Sequence, residues 1–414
     1  MADQKPKYEI TETGARINLE KPHNRATDRI YGNETLEDEY VEEIDNEIGN
    51  KDPEAQVKKN RRKYILDVFI ILVIFIGFII YTIQKDGMQN IIALMDNCNG
   101  MWLGVAGLFL LGMWVAETIA LVLPMKKIYP DFKIWDSFRI TMIGQLFNNL
   151  TPFASGGQLM QVYVMSKENK RASETFSVLS LKFIIGQTVL ILFTITIVLS
   201  QFNFFKDLFK DWVWLGAIGI LINIGIVVSF FLAGTRKNFV LKIAKPFIKL
   251  GGKIKIGKKR LVKDPEDRIN KFRGSVEHYS EQFTKMGSQK GTIVSMVIIS
   301  IFQNLCYYAI TYAIYKAFGN SGYTFFEIVT TQAFLMLIMS FVPTPGAGLG
   351  AEGGFLILFK DIFQNGTINV SILFWRLFIF YLPIICGAIF FIPAYIKIEK
   401  QNEKKKVEAA KLQN

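Results

Sequence analysis

The chain has 414 residues, of which half are hydrophobic and 35 are phenylalanine, and its formal net charge is +12. Such a composition predicts an integral membrane protein, because soluble chains of this length are rarely so apolar. The basic residues stand in short blocks beside apolar runs, which favours topology signals and contacts with anionic lipid over nucleic acid. The three cysteines are widely spaced, so neither a disulfide framework nor a metal site is predicted, and no cofactor is expected.

The N-terminal part, 1–57, carries 15 acidic and 7 basic side chains without an apolar period. This pattern predicts a disordered acidic tail. A basic cluster at 58–63 precedes the first apolar run, 64–83, and by the positive-inside rule this places the N-terminus in the cytoplasm. A second span is expected over 100–123, ending at Pro124.

The segment 134–166 predicts a hairpin rather than a span. A helix-length stretch over 134–150 meets the motif Thr151-Pro-Phe-Ala-Ser-Gly-Gly157, and the stretch after it is too short to cross before the basic block 167–171. The chain therefore enters and leaves on one face, as a re-entrant hairpin whose tip lies in the membrane. A span over 176–199 completes a first repeat, 58–200.

The second half of the chain has the same order of elements. It begins with an outside loop and a span, 201–233, and continues with a segment, 234–290, that has 16 basic and 5 acidic residues and predicts amphipathic helices in the cytoplasm. The remainder, 291–397, holds a span over 292–318, a hairpin over 325–360 around Pro343-Thr-Pro-Gly-Ala-Gly-Leu-Gly-Ala-Glu-Gly-Gly354, a last span over 371–396, and then a basic cytoplasmic tail, 398–414.

Each half thus contains two spans, a broken hairpin and one further span. Three full crossings are an odd number, so the second half starts on the opposite face from the first. The predicted fold is an all-α integral membrane protein with two inverted-topology repeats and both termini in the cytoplasm. Interrupted helices that meet near the midplane are typical of alternating-access transporters.

The two breaks are the first candidate binding segments. Proline and glycine interrupt a helix, and backbone groups freed at membrane depth need protein, water or ligand as partners. Helix N-termini beside the glycines are expected to offer N–H groups to a phosphate. The candidate substrate-binding residues are Thr151, Pro152, Gly156, Gly157 and Gln158 in the first break and Pro343, Thr344, Pro345, Gly346, Gly348, Gly350, Glu352, Gly353 and Gly354 in the second.

Two basic residues lie inside spans, Lys182 and Arg376, which stand 25 and 22 residues after the glycine pairs of the two breaks. Their matching registers favour a role in binding, whereas snorkelling to the headgroups is the structural alternative. Glu117 or Glu352 would pair with them or receive a cationic headgroup. Further candidates for a polar lining are Gln145, Asn148 and Asn149, while Gln303 and Asn304 are interpreted as interhelical hydrogen-bonding residues; no catalytic residue is assigned.

The two break motifs, with Phe374-Trp-Arg-Leu-Phe-Ile-Phe-Tyr-Leu-Pro383, resemble the membrane domain of the lysylphosphatidylglycerol synthetase/flippase family (multiple peptide resistance factor) over about residues 60–400. The resemblance implies a protein of the bacterial cytoplasmic membrane that moves a phospholipid, often an aminoacylated one, between leaflets. Where the family usually has an acid and then an arginine, this chain has Gln158 and Gln161, and Lys182 replaces an arginine, which leaves the headgroup charge open. The family pattern matches directly at Pro343, Pro345, Gly346, Gly350, Glu352 and Arg376.

Full-length members of that family carry a soluble aminoacyl-transferase domain after the membrane part. Only about seventeen residues follow the last span here, so the stand-alone form without the transferase is expected. The expected function is a phospholipid flippase. The alternatives are a secondary transporter of a small solute or ion and a subunit of a phosphatidylglycerol lysyltransferase. Expected partners are the phospholipid substrate, anionic lipid at the basic segments, and either a second copy of the chain or a separate lipid-modifying enzyme.

Overall fold

A computed structural model describes residues 95–96, 98–204, 213–253, 264–339, 348–364 and 366–412, together with four short strands. The chain divides into two compact units, Met1–Tyr64 and Ile65–Asn414. The first unit contains an antiparallel pair, β1 (Tyr8–Ile10) and β2 (Arg16–Asn18). The rest of the predicted acidic tail, and the predicted first span at 64–83, lie outside the described residues.

The described part of the second unit is mainly helical, with a short antiparallel pair, β3 (Lys255–Ile256) and β4 (Lys259–Arg260). Its first half contains α1, α2, a 3-10 turn, α3 and α4. Their bounds are Gly100–Ile128, Ile134–Leu150, Pro152–Ala154, Gly156–Ser166 and Ala172–Ser200.

The second half begins with a long helix and two amphipathic ones, α5 to α7, followed by α8 and the short pair α9 and α10. A last rod consists of α11, a π-helical turn and α12. The bounds are Val213–Thr235, Lys237–Lys253, Pro265–Gly287, Lys290–Ala317, Phe325–Met339, Gly348–Phe359, Ile368–Arg376, Leu377–Tyr381 and Leu382–Leu412.

Five of the described helices are long and apolar enough to cross a membrane. They are Gly100–Ile128, Ala172–Ser200, Gly216–Thr235, Lys290–Ala317 and Ile368–Gln401. Each coincides with a span predicted from the sequence, and this confirms an all-α, multi-pass membrane protein. Many large apolar side chains on their outer faces are exposed, as a lipid-facing surface requires.

Several helix boundaries differ from the sequence prediction; α12, for example, continues to Leu412, past the predicted span end at 396, and α3 begins at Gly156, inside the predicted first break. Helix α1 does not end at Pro124 but continues to Ile128, with the proline buried inside the helix. Helix α10 begins at Gly348, so the last part of the predicted break, including Gly350, Gly353 and Gly354, is helical. Apolar surroundings offer the backbone no water, which favours intrahelical hydrogen bonds even in a sequence rich in glycine.

Helix α8 packs along α1 at the centre of the bundle, and α2 lies between α1 and the last rod. The approach of α12 to α2 is close, since a Cβ on Gly387 would lie 2.5 Å from the carbonyl oxygen of Met142. The chain between α2 and α3 turns sharply, so the two helices pack against each other as a hairpin. These contacts place α1, α2, α3, α4 and α8 around one common space.

Polar contacts fix the amphipathic helix α7 at the start of α4. The Ser177 hydroxyl donates to the carbonyl of Tyr279 at 2.9 Å, and Arg171 lies 3.1 Å from the His278 ring. The Tyr129 hydroxyl donates to Glu174 and accepts from the backbone N–H of Arg171. Burial is the main cause that raises the pKa of Tyr129 above its usual range, and the hydrogen bond to Glu174 and the charge of that carboxylate add to it. This hydroxyl therefore stays protonated.

Candidate functional site

A polar cavity of about 200 Å³ lies between α1, α2, α3, α4 and α8. Its described lining contains a carboxylate, a lysine and six amide side chains, although apolar residues make up half or more of each helix around it. Polar groups at membrane depth are costly unless they have partners, so a cavity of this composition indicates water or ligand inside the bundle. The polar lining residues are Glu117, Asn148, Gln158, Gln161, Lys182, Gln187, Ser300, Gln303 and Asn304.

The charged residues of the cavity are paired with each other. Lys182 Nζ of α4 lies 3.0 Å from Glu117 Oε1 of α1, and their side chains are 16% and 10% exposed. Gln145 of α2 donates to the other carboxylate oxygen of Glu117. The carboxylate therefore connects three helices, and Lys182 points into the bundle rather than to a span end.

Several amides of the cavity have no partner in the part of the chain that the structure describes. Gln158, Gln187, Gln303 and Asn304 make no hydrogen bond within the ranges that the structure describes. Each carries an oxygen that accepts and an NH₂ group that donates. The prediction that Gln303 and Asn304 bond between helices is therefore wrong, because these two side chains face the cavity instead.

The first break is closed by its own side chains. The N–H of Gly156 donates to Thr151 Oγ1 at 2.8 Å, and the N–H of Gly157 donates to Asn148 Oδ1 at 3.1 Å. The expectation that these N–H groups are offered to a phosphate is therefore corrected, since protein oxygens already occupy them. Glycine is required here for another reason: a Cβ on Gly157 would lie 2.5 Å from the carbonyl oxygen of Gly144, where neither backbone can yield.

We expect Gly157→Ala to lower the free energy of unfolding by about 1–3 kcal/mol, the usual range for overpacking. The extra methyl group would separate α2 from α3 and disturb the cavity wall. The measurement is unfolding of the purified protein in detergent. Gly104→Ala is the matched control, because nothing lies within 4 Å of a Cβ added there; an equal effect of both variants would contradict the close approach.

The second pair of charges lies outside the cavity. Arg376 Nε is 2.8 Å from Glu352 Oε1 of α10, and the arginine is 4% exposed. Its guanidinium carbon lies 5.4 Å from the Trp375 ring centroid and 5.2 Å from that of Phe380, within cation–π range. The π-helical turn begins at the next residue, and such wide turns are frequent at functional sites.

Helix α8 connects the two charged pairs. Ser300, Gln303 and Asn304 face the cavity, and Tyr307 interacts electrostatically with Arg376. Gln303 and Tyr307 are four residues apart, a separation of about 6 Å along a helix. The same helix therefore borders both the cavity and the surroundings of Arg376.

The structure thus brings together only part of the predicted site. Glu117, Asn148, Gln158 and Lys182 line one cavity, and Gln145 contacts it through Glu117. Asn149 instead bonds the Gln145 carbonyl within α2. Three groups of predicted residues lie elsewhere: Thr151 and Pro152 form the turn of the first break, Gly348, Gly350, Glu352, Gly353, Gly354 and Arg376 lie on α10 and at the end of α11, and Pro343, Thr344, Pro345 and Gly346 lie outside the described residues.

Sequence reasoning missed Gln187 and the role of α8. A usable signal was present, because Ser300, Gln303 and Asn304 stand at i, i+3 and i+4, one face of a helix that is otherwise mainly apolar. Among the described residues no group of three or more His, Cys, Asp or Glu side chains could hold a metal ion.

Among the described residues, five helices are long and apolar enough to span a membrane, and three of them line a polar, charge-paired cavity together with α2 and α3. These features define a multi-pass membrane protein with an internal polar site. Comparison with known proteins gives its family. The model described as lysylphosphatidylglycerol synthase TM region matches residues 65–387, and the chain belongs to this family. The resemblance seen in the break motifs is thereby confirmed.

A curated relative is a UPF0104 membrane protein of Methanothermobacter thermautotrophicus, 24% identical over 234 residues. The match covers 54% of this chain and 64% of the relative, so the chain spans less than two thirds of the relative's length.

Proposed function

We propose that this protein moves a lipid with a polar headgroup between the leaflets of a cytoplasmic membrane. The headgroup enters the cavity between α1, α2, α3, α4 and α8, while the acyl chains stay in the surrounding lipid. The observation that carries the proposal is a set of amides that make no hydrogen bond within the described residues, beside the Glu117–Lys182 pair and inside a helical membrane protein. Such groups need a polar partner, and a headgroup crossing the membrane would supply one.

The helix that borders the cavity also borders lipid. On α8, Ile298, Ile301 and Phe302 are 62%, 41% and 52% exposed, and they lie on the side of the helix opposite the cavity residues Ser300, Gln303 and Asn304. The cavity is therefore about one helix width from lipid. This short distance favours a lipid, whose headgroup would bind the amides while its chains stay in the bilayer, over a free solute.

The proposal is tested by reconstituting the purified chain in vesicles that contain tail-labelled fluorescent lipids with several headgroups. A membrane-impermeant reductant quenches only the outer-leaflet probe in protein-free vesicles. We expect the protein to expose the inner-leaflet probe of at least one headgroup class as well. Protein that moves none of the lipids, in vesicles shown to contain folded protein, would overturn the proposal. Uptake of small polar solutes alone would then favour a secondary transporter.

The amphipathic helix α6 is proposed to bind anionic lipid at the membrane surface. Lys237, Lys242, Lys245 and Lys249 line a groove of about 930 Å³ with Arg273 of α7. On α6 itself, large apolar side chains are exposed, as in a helix that lies in the interface. They are Phe239, Ile243, Phe247 and Leu250.

We expect the double variant Lys242→Glu/Lys245→Glu to weaken this lipid contact, by about 1 kcal/mol for each lysine. The measurement is the rise in unfolding temperature when phosphatidylglycerol is added to the protein in neutral detergent. The rise should shrink in the variant and persist in Lys290→Glu, a basic residue outside the groove. An unchanged rise in the double variant would contradict the assignment.

A further inference from the structure

We infer that the headgroup bound in the cavity is uncharged and rich in hydroxyl groups, a sugar or polyol, rather than a cationic aminoacyl ester. The inference rests on the proposed function and names the substrate class of the same site. It comes from the charge balance of the lining, from the hydrogen-bonding chemistry of its free groups and from the closure of the first break.

The lining has no net charge to offer a ligand. Among the described lining residues, Glu117 and Lys182 are the two ionisable ones, one of each sign, and they contact each other at 3.0 Å. Gln145 satisfies the second oxygen of the carboxylate. A cationic headgroup would have to displace Lys182 from Glu117, and an anionic one would have to displace Glu117 from Lys182. Either exchange leaves one buried charge without its partner.

The free groups of the lining both donate and accept. Gln158, Gln187, Gln303 and Asn304 each present an amide, and Ser300 adds a hydroxyl, all without a hydrogen bond in the described part of the chain. A phosphate only accepts and an ammonium only donates, so each would leave half of every amide unsatisfied. Hydroxyl groups do both, and several neighbouring hydroxyls satisfy several amides at once.

The first break does not supply a phosphate site either. The N–H groups of Gly156 and Gly157, at the N-terminus of α3, donate to Thr151 and Asn148. The cavity volume of about 200 Å³ is also below the roughly 300–1,000 Å³ of pockets that enclose drug-sized ligands. The space therefore suits a compact headgroup with the chains outside.

The test compares three tail-labelled lipids in vesicles of one composition: a neutral glucosyl-diacylglycerol, phosphatidylglycerol and lysyl-phosphatidylglycerol. We expect the glucosyl lipid to cross at least about tenfold faster than either charged lipid, equivalent to about 1.4 kcal/mol. Faster movement of a charged lipid would overturn the inference and leave the flippase proposal standing. Movement of none of the three, with uptake of free methyl glucoside, would retain the hydroxyl-rich class but overturn the lipid function.

Two variants separate binding from folding. In Gln303→Leu/Asn304→Leu the cavity loses two amides that bond nothing in the described structure, so unfolding in detergent should be unchanged while glucosyl-lipid movement falls at least about tenfold. Gln332→Leu is the matched control, because that amide accepts from Thr311 at 2.9 Å outside the cavity. Its loss should lower stability and leave the order of headgroup preference unchanged. Equal transport by the double variant and the natural chain would overturn the inference.

A charge variant gives an independent readout. Gln158→Glu adds one negative charge to a lining that is otherwise balanced, with little change in size. We expect it to raise the rate for lysyl-phosphatidylglycerol relative to the glucosyl lipid. An unchanged ratio would show that the headgroup does not reach Gln158, against the inference.

Discussion

Replacement of Lys182 by methionine is expected to lower the free energy of unfolding by about 3–5 kcal/mol, the range for a buried ion pair that loses one partner. The Glu117 carboxylate would remain inside the bundle with only Gln145 as its neutral donor. Unfolding of the purified protein in detergent measures the loss. We also expect glucosyl-lipid movement in vesicles to fall and movement of lysyl-phosphatidylglycerol to rise relative to it, because the described lining would acquire a net negative charge.

The double variant Glu117→Gln/Lys182→Met separates these two effects. It removes both charges together, so most of the stability should return, as it does when buried pairs are replaced by neutral groups. If the Lys182 side chain of the natural protein snorkelled to the headgroups, the single variant Lys182→Met would be as stable as the natural chain. That outcome would contradict the observed pair.

Replacement of Arg376 by methionine is expected to lower the free energy of unfolding by a comparable amount, about 3–5 kcal/mol. Glu352 would lose its ion-pair partner. Its second carboxylate oxygen already makes no hydrogen bond within the described residues. Arg376→Lys keeps the charge but loses the planar group between Trp375 and Phe380, an interaction worth about 2 kcal/mol when desolvated. We therefore expect the lysine variant to be intermediate in thermal unfolding.

Lys316→Met is the matched control for Arg376. Lys316 lies over the rings of Tyr312 and Tyr315 at 5.8 and 5.6 Å but has no acidic partner in the described part of the chain. Its removal should change the free energy of unfolding by about 0.5–1 kcal/mol, the range for exposed cation–π contacts. Similar losses at Lys316 and Arg376 would show that the rings, and not Glu352, hold the arginine.

The spans were predictable because their signal is local. About twenty apolar residues and a flanking basic block identify a membrane helix without knowledge of its neighbours. Breaks are harder, because glycine and proline act through context. Pro124 lies inside α1 and Gly350 lies inside α10, since neighbouring helices replace the water that would otherwise compete for the backbone.

Pairing at the site was predictable in kind but not in detail. Charges at membrane depth need opposite partners, so acids were expected beside Lys182 and Arg376. Which acid pairs with which basic residue depends on helix packing. In the structure Glu117 pairs with Lys182, and Glu352 pairs with Arg376. The amides of α8 were misread for the same reason, because a polar stripe in a span can face either a helix or a cavity.

The π-helical turn at Leu377–Tyr381 has a consequence for the register of the last rod. It holds one residue more than an α-helical turn would, and each residue of an α-helix advances the face by about 100°. Everything downstream is therefore turned by that angle relative to an unbroken helix, including Gly387, whose bare backbone faces Met142. Converting this turn to a regular α-helix without removing a residue would rotate a side chain into that contact, whereas deleting the extra residue as well would keep Gly387 facing α2. The wide turn beside Arg376 therefore sets how the far end of the same rod docks on α2.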